Sequence, residues 1–131
     1  MGNPQDRRVI FVVDDEHIIA STLTMILKSN GFDATSFTDS LEALRAAHFG
    51  APDLLISDVA MPFLSGFKLA AKIKAFCPDC RVLLFSGEAA LIDHVNDSEM
   101  QEWFAILPKP VHPAVLLETI RGLLDAPSVA A

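Results

Sequence analysis

Three aspartates, a serine and a lysine stand where short apolar runs end. Asp14 and Asp15 follow residues 9–13, Asp58 follows 54–56 after Ser57, Ser86 follows 82–85, and Lys109 follows 104–107 after Pro108. One acidic residue in such a place is most often a solvated loop residue. Five polar groups from four separate runs become a site if the runs are neighbouring strands of one sheet. Carboxylates held close together raise one another's pKa and destabilise a fold unless a cation offsets them. An all-oxygen donor set with few protein groups suits Mg²⁺, with Mn²⁺ as a substitute, because such an ion keeps waters and shares its shell with a phosphoryl group. Lys109 adds a point charge for an anionic oxygen, and Ser86 a hydroxyl that can donate to another. A cation, an ammonium and a donor around one carboxylate make a phosphoryl-transfer site with an Asp nucleophile, in which positioning and charge neutralisation do most of the catalysis.

The elements that would position these groups are legible. The runs at 9–13, 54–56, 82–85 and 104–107 are unbroken and end at polar or Pro residues, which suits strands covered on both faces, as in a parallel sheet between helices. Residues 33–37 alternate only weakly, with Ala34 and Phe37 apolar, and read as a half-exposed edge strand. Helical spacing fills the gaps. Ile19, Leu23, Ile26 and Leu27 precede a stop at Gly31; a second helix begins at Asp39, with Glu42 in capping-box spacing and Leu41 and Leu44 on one face. Leu69, Ile73 and Phe76 line a third helix ended by Pro78, and Leu116, Ile120, Leu123 and Leu124 line the last. A further helix is placed within 89–103, where Leu91 and Val95 make a short stripe. Strand and helix alternating in this way predict an open, doubly wound α/β fold with a parallel sheet.

Composition narrows the function. The chain has 131 residues, 51% of them apolar, which fits one domain, assigned to residues 9–125, between tails at 1–8 and 126–131. A chain of this size buries roughly two-thirds of its unfolded surface and needs no disulfide or metal staple. Seventeen acidic against ten basic side chains give a net charge of −7, which repels phosphate backbones and anionic lipid, so neither nucleic acid nor membrane is expected as a direct partner. The apolar run at 9–13 is far shorter than the about twenty residues of a bilayer span or the at least about seven of a secretory signal core, and a cytoplasmic location is expected.

Asp14-Asp15-Glu16, then Ser57-Asp58-Val59-Ala60-Met61-Pro62 with Gly66 following, then Phe85-Ser86-Gly87-Glu88-Ala89, and Leu107-Pro108-Lys109-Pro110 together resemble the receiver domain of bacterial two-component response regulators. The likeness covers nearly the whole chain. It implies a flavodoxin-like three-layer (βα)5 fold with strand order 2-1-3-4-5. It further implies that Asp58 accepts a phosphoryl group from a sensor histidine kinase or phosphotransfer protein. Asp15 and Asp58 would ligate Mg²⁺ through side chains, Ala60 through its carbonyl, and Asp14 by way of a coordinated water. Ser86 and Lys109 would hold phosphoryl oxygens, Met61, Pro62 and Gly66 would shape the following loop, and the bond before Pro110 would be cis. The output would be a phosphorylation-dependent switch in binding to a downstream protein, by a monomer or a phosphorylation-dependent dimer.

Two positions depart from the family. Many members carry Tyr or Phe three residues before the lysine, where this chain has Ile106, with Phe104 as the nearest aromatic on the same strand face. Met100 and Trp103 replace a small Gly-Ala turn, which predicts a distinctive output surface. A haloacid-dehalogenase-type phosphohydrolase would also use an Asp nucleophile and Mg²⁺, but needs an acid two residues later, where Ala60 stands. A nucleotide- or flavin-binding domain would need a glycine-rich turn where the acidic residues are. Cys77-Pro78-Asp79-Cys80 has CxxC spacing, yet it ends a helix instead of opening one and has no second pair, so loop cysteines are the plain reading. His17 reads as a rim residue beside the acidic group, and His48, His94 and His112 as surface positions.

Overall fold

The computed structural model describes residues 7–87 and 104–125. The helix placed within 89–103, the surface expected around Met100 and Trp103, and the tails apart from Arg7 and Arg8 lie outside the described residues. The strands are β1 (Val9–Val13), β2 (Asp33–Phe37), β3 (Leu54–Asp58), β4 (Arg81–Ser86) and β5 (Phe104–Pro108). They are interleaved with α1 (His17–Ser29), α2 (Ser40–Phe49), α3 (Gly66–Phe76) and α4 (Pro113–Leu124). The strands form one parallel sheet in the order β2-β1-β3-β4-β5. The fold class expected from the sequence is the one observed.

Strand alternation splits the core into two layers. Ile10 and Val12 of β1, Leu54 and Ile56 of β3, and Leu83 and Phe85 of β4 meet Leu27 of α1 and Leu116, Ile120, Leu123 and Leu124 of α4. Phe11 and Val13, Leu55, and Val82 and Leu84 face the other way, onto Ala43 and Ala47 of α2 and Leu69, Ala70 and Ile73 of α3. Each central strand is therefore apolar on both sides, which is why it appears in the sequence as an unbroken run. The edge strand β2 pairs only with β1 and buries just Ala34, so polar Asp33, Thr35 and Ser36 blunt its free side.

Two helix faces differ from expectation. In α1 the fully buried positions are Ala20, Thr24 and Leu27, with Ile19, Leu23 and Ile26 half-buried beside them. Small residues let the helix approach the sheet, and Thr24 meets its polar need by donating to the Ala20 carbonyl at 2.8 Å. In α2, Leu41 is 44% exposed, while Ala43 and Ala47 make the buried face with Leu44 half-buried. The Asp39 cap itself is present, accepting from the Leu41 N–H at 2.9 Å.

Candidate functional site

At the carboxyl edge of the sheet the hydrogen-bond ladder continues past the strands, and this holds the first loop residues in place. The Asp14 N–H donates to the Phe37 carbonyl, the Val59 N–H to Phe85, and the Lys109 N–H to Ser86, each at 3.0 Å. The strand order reverses between β1 and β3, the place where an open α/β sheet leaves a crevice for a ligand. Asp14 and Asp15 follow β1 there, and Asp58 ends β3.

Carboxylate oxygens of Asp14, Asp15 and Asp58 lie within 4.8 Å of one another, the one such acidic group among the described residues. Asp14 is only 1% exposed and Asp58 9%, while Asp15 is open to solvent. Lys109 reaches across from the end of β5, its Nζ 3.1 Å from Asp58 Oδ2 and 3.6 Å from Asp14 Oδ2. Asp14 Oδ1 accepts from the Glu16 N–H at 2.9 Å, whereas Oδ2 is buried with no hydrogen-bond donor. Burial pushes the Asp14 carboxyl above the ordinary carboxylate range, against the Glu16 hydrogen bond and the Lys109 charge, and the neighbouring Asp58 and Asp15 charges push the same way. Burial also works against the Lys109 charge. The hydrogen bond to Asp58 and the charges of Asp14 and Asp58 outweigh it and hold the ammonium above its usual range. One ammonium thus reaches two of three clustered carboxylates, and an oxygen-only donor set with a buried, undonated oxygen fits a hard divalent cation.

The other residues singled out from the sequence fall around this group. Ser86 is buried at the last position of β4, opposite Pro108 in register. Ala60 and Pro62 are exposed and Met61 half-buried on the β3–α3 loop. The Lys109–Pro110 bond is cis, and a groove of about 220 Å³ lined by Ile19, Leu23, Phe85, Lys109, Pro110 and Val111 opens beside the lysine. Ile106 is not brought to the carboxylates. It is buried in the layer facing α2 and α3, paired in register with Leu84, and Phe104 on the same face packs against that layer. His17 lies exposed at the start of α1, and His112 caps α4 by accepting from the Ala114 N–H at 3.1 Å.

Three features of the β3–α3 loop were not legible from residue spacing. Gly66 opens α3 directly against the end of β3: a Cβ there would overlap the Asp58 carbonyl oxygen and lie 3.1 Å from both the Asp58 carbonyl carbon and Val59 Cα. Its N–H donates to the Val59 carbonyl at 2.9 Å. Leu64 is buried and pins the loop, and Phe63 beside it takes a positive φ of 68° with its ring 90% exposed. Only the glycine left a trace in the sequence.

The fold and site define a flavodoxin-like α/β domain with an acidic centre at its switch point. The family model for the response regulator receiver domain matches residues 10–121. The chain belongs to the receiver domains of two-component response regulators. It is 32% identical over 120 residues to the transcriptional regulatory protein CreB of Escherichia coli, covering 90% of this chain and 51% of CreB. It is 32% identical to the DNA-binding transcriptional regulator NtrC of Azospirillum brasilense, over 89% of this chain and 24% of NtrC. The chain thus spans about half or less of the length of these relatives. Among solved structures it is similar to a receiver domain protein from Methanospirillum hungatei, with TM-score 0.80, 26% identity, and 92% and 95% of the two chains covered. A receiver domain protein from Clostridium thermocellum gives TM-score 0.78 at 27% identity, covering 90% of this chain and 94% of that one. Among the described residues no helix is long and apolar enough to cross a membrane.

Proposed function

We propose that Asp58 is a phosphoacceptor, taking a phosphoryl group from a phosphohistidine of a sensor kinase or phosphotransfer protein, and that the modified chain changes its binding to a downstream protein. The observation that carries this reading is Lys109 Nζ at 3.1 Å from Asp58 Oδ2, within a group of three carboxylates at the strand-order reversal. Asp58 Oδ attacks phosphorus, the P–N bond breaks, and the donor imidazole keeps the electron pair. Asp14, Asp15, Asp58 and the Ala60 carbonyl would hold Mg²⁺, which when bound neutralises charge on the transferring phosphoryl oxygens. Lys109 then exchanges its contact with the carboxylate for one with a phosphoryl oxygen, and Ser86 donates its hydroxyl to another. The same arrangement supports slow self-dephosphorylation, with water replacing Asp58 as nucleophile.

The test is incubation with acetyl phosphate and Mg²⁺, read by intact mass. One added phosphoryl group, lost in Asp58→Asn and with EDTA, is the expected outcome. Steady turnover of an unrelated phosphomonoester, or no labelling, contradicts the reading.

A further inference from the structure

Cys77 and Cys80 flank the turn between α3 and β4, remote in sequence from the acidic residues. Cys77 caps α3, and Cys80 immediately precedes the first residue of β4. The Cys80 N–H donates to the Cys77 carbonyl at 3.1 Å, closing a four-residue turn. Such a turn holds its outer Cα atoms within about 7 Å, close to the span of roughly 4.4–6.8 Å that a disulfide bridges. Both side chains belong to one apolar layer: Cys80 is buried in it, and half-buried Cys77 packs against it. The Lys74 ammonium donates to the carbonyls of Pro78 and Cys80, and its charge acts on both sulfurs.

We propose that Cys77 and Cys80 form a modification site, a thiol pair that a peroxide-class oxidant closes into a disulfide across this turn. Cys77 is the sulfur that solvent can reach, so it reacts first. Its sulfur takes one peroxide oxygen as the O–O bond breaks and the other oxygen leaves as water, giving a sulfenic acid. The Cys80 sulfur then attacks Cys77 as the S–O bond breaks, and the proton that burial keeps on the Cys80 thiol leaves with the hydroxyl as a second water. Two thiols are oxidised and one peroxide is reduced to two waters. Burial in the core shields Cys80 from free oxidant but not from its neighbour across the turn, where the reaction is intramolecular. A thiol reductant reverses the bond by exchange.

The experiment treats the whole chain in its native state with hydrogen peroxide, confirms by circular dichroism that the fold is kept, then unfolds the chain, alkylates with iodoacetamide and reads intact mass. The native chain is expected to lose two hydrogens, to take no alkyl group, and to recover two alkylatable thiols after dithiothreitol. Cys80→Ser should stop at a sulfenic acid on Cys77 that dimedone traps, and Cys77→Ser should leave Cys80 reduced. Added oxygens on Cys77 of the native chain, disulfide-linked dimers, or two unreacted thiols overturn the proposal.

Discussion

Gly66 lies so close beneath Asp58 that the first turn of α3 rests on the backbone of the residue at the centre of the site. The Gly66 N–H reaches the Val59 carbonyl at 2.9 Å, and a side chain at position 66 would strike the Asp58 carbonyl. The start of α3 and the end of β3 are therefore in direct backbone contact. A movement at one cannot leave the other untouched.

Gly66→Ala should separate the two. Because the obstacle is backbone and not the tip of a flexible side chain, the fold must shift to admit a methyl group, at about 1–3 kcal/mol. Urea unfolding should show that loss, and the rate of labelling by acetyl phosphate should fall with it. An alanine variant with unchanged stability and labelling would mean the contact does not position Asp58.

Asp14→Asn should stabilise the chain in the absence of divalent cations. The folded state holds the Asp14 carboxyl above its ordinary range through burial, so its ionised form works against folding at neutral pH. Asparagine removes that charge. A rise of a few degrees in the thermal midpoint, the scale of about 1 kcal/mol in a domain this size, is expected. Added Mg²⁺ should stabilise the natural chain more than the variant and so narrow the gap. A lower midpoint for Asp14→Asn without metal contradicts this electrostatic account.

Lys109→Ala should act in the opposite sense. It removes the ammonium from beside Asp58 and buried Asp14, at a cost of about 1–2 kcal/mol. With that competing cation gone, Mg²⁺ should bind at least as tightly as in the natural chain, while labelling of Asp58 slows. Calorimetric titration with Mg²⁺ beside the labelling assay separates binding from chemistry. A variant that loses Mg²⁺ affinity and keeps its labelling rate would contradict the roles assigned.

Alkaline pH should expose the burial of Cys80. Its thiol is pushed up to about 12, chiefly by burial, from an ordinary value of 9.0. Above pH 9 the unfolded chain releases this proton and the folded chain keeps it, so stability falls as pH rises, by about 1.4 kcal/mol per pH unit from this group. Under reducing conditions Cys80→Ala should lack that part of the alkaline slope. Identical slopes between pH 9 and 11 would show that the thiol is not held protonated.

The central strands were readable because the physics that buries them on both faces leaves no polar position to interrupt the run, as at Ile10-Phe11-Val12-Val13. The helix faces were read less well. Periodicity points to large apolar residues, whereas α1 and α2 meet the sheet through Ala20, Ala43 and Ala47, where close approach favours small side chains over Ile19 or Leu41. The acidic group was legible as types at strand ends, and Lys109 as a cation in range of it. The Gly66 contact and the positive φ of Phe63 were not, because both depend on how the β3–α3 loop folds back onto β3. The turn that brings Cys77 and Cys80 together is likewise a backbone hydrogen bond that CxxC spacing alone does not specify.

Of the three clustered carboxylates, Asp58 is the one proposed to carry the phosphoryl group. An aspartyl phosphate is reduced by borohydride to homoserine, which peptide mass spectrometry locates by position. After acetyl phosphate and Mg²⁺, homoserine should appear at position 58 and nowhere else. Homoserine at position 14 or 15, or a phosphoryl group on Ser86 that resists hydroxylamine, would contradict it.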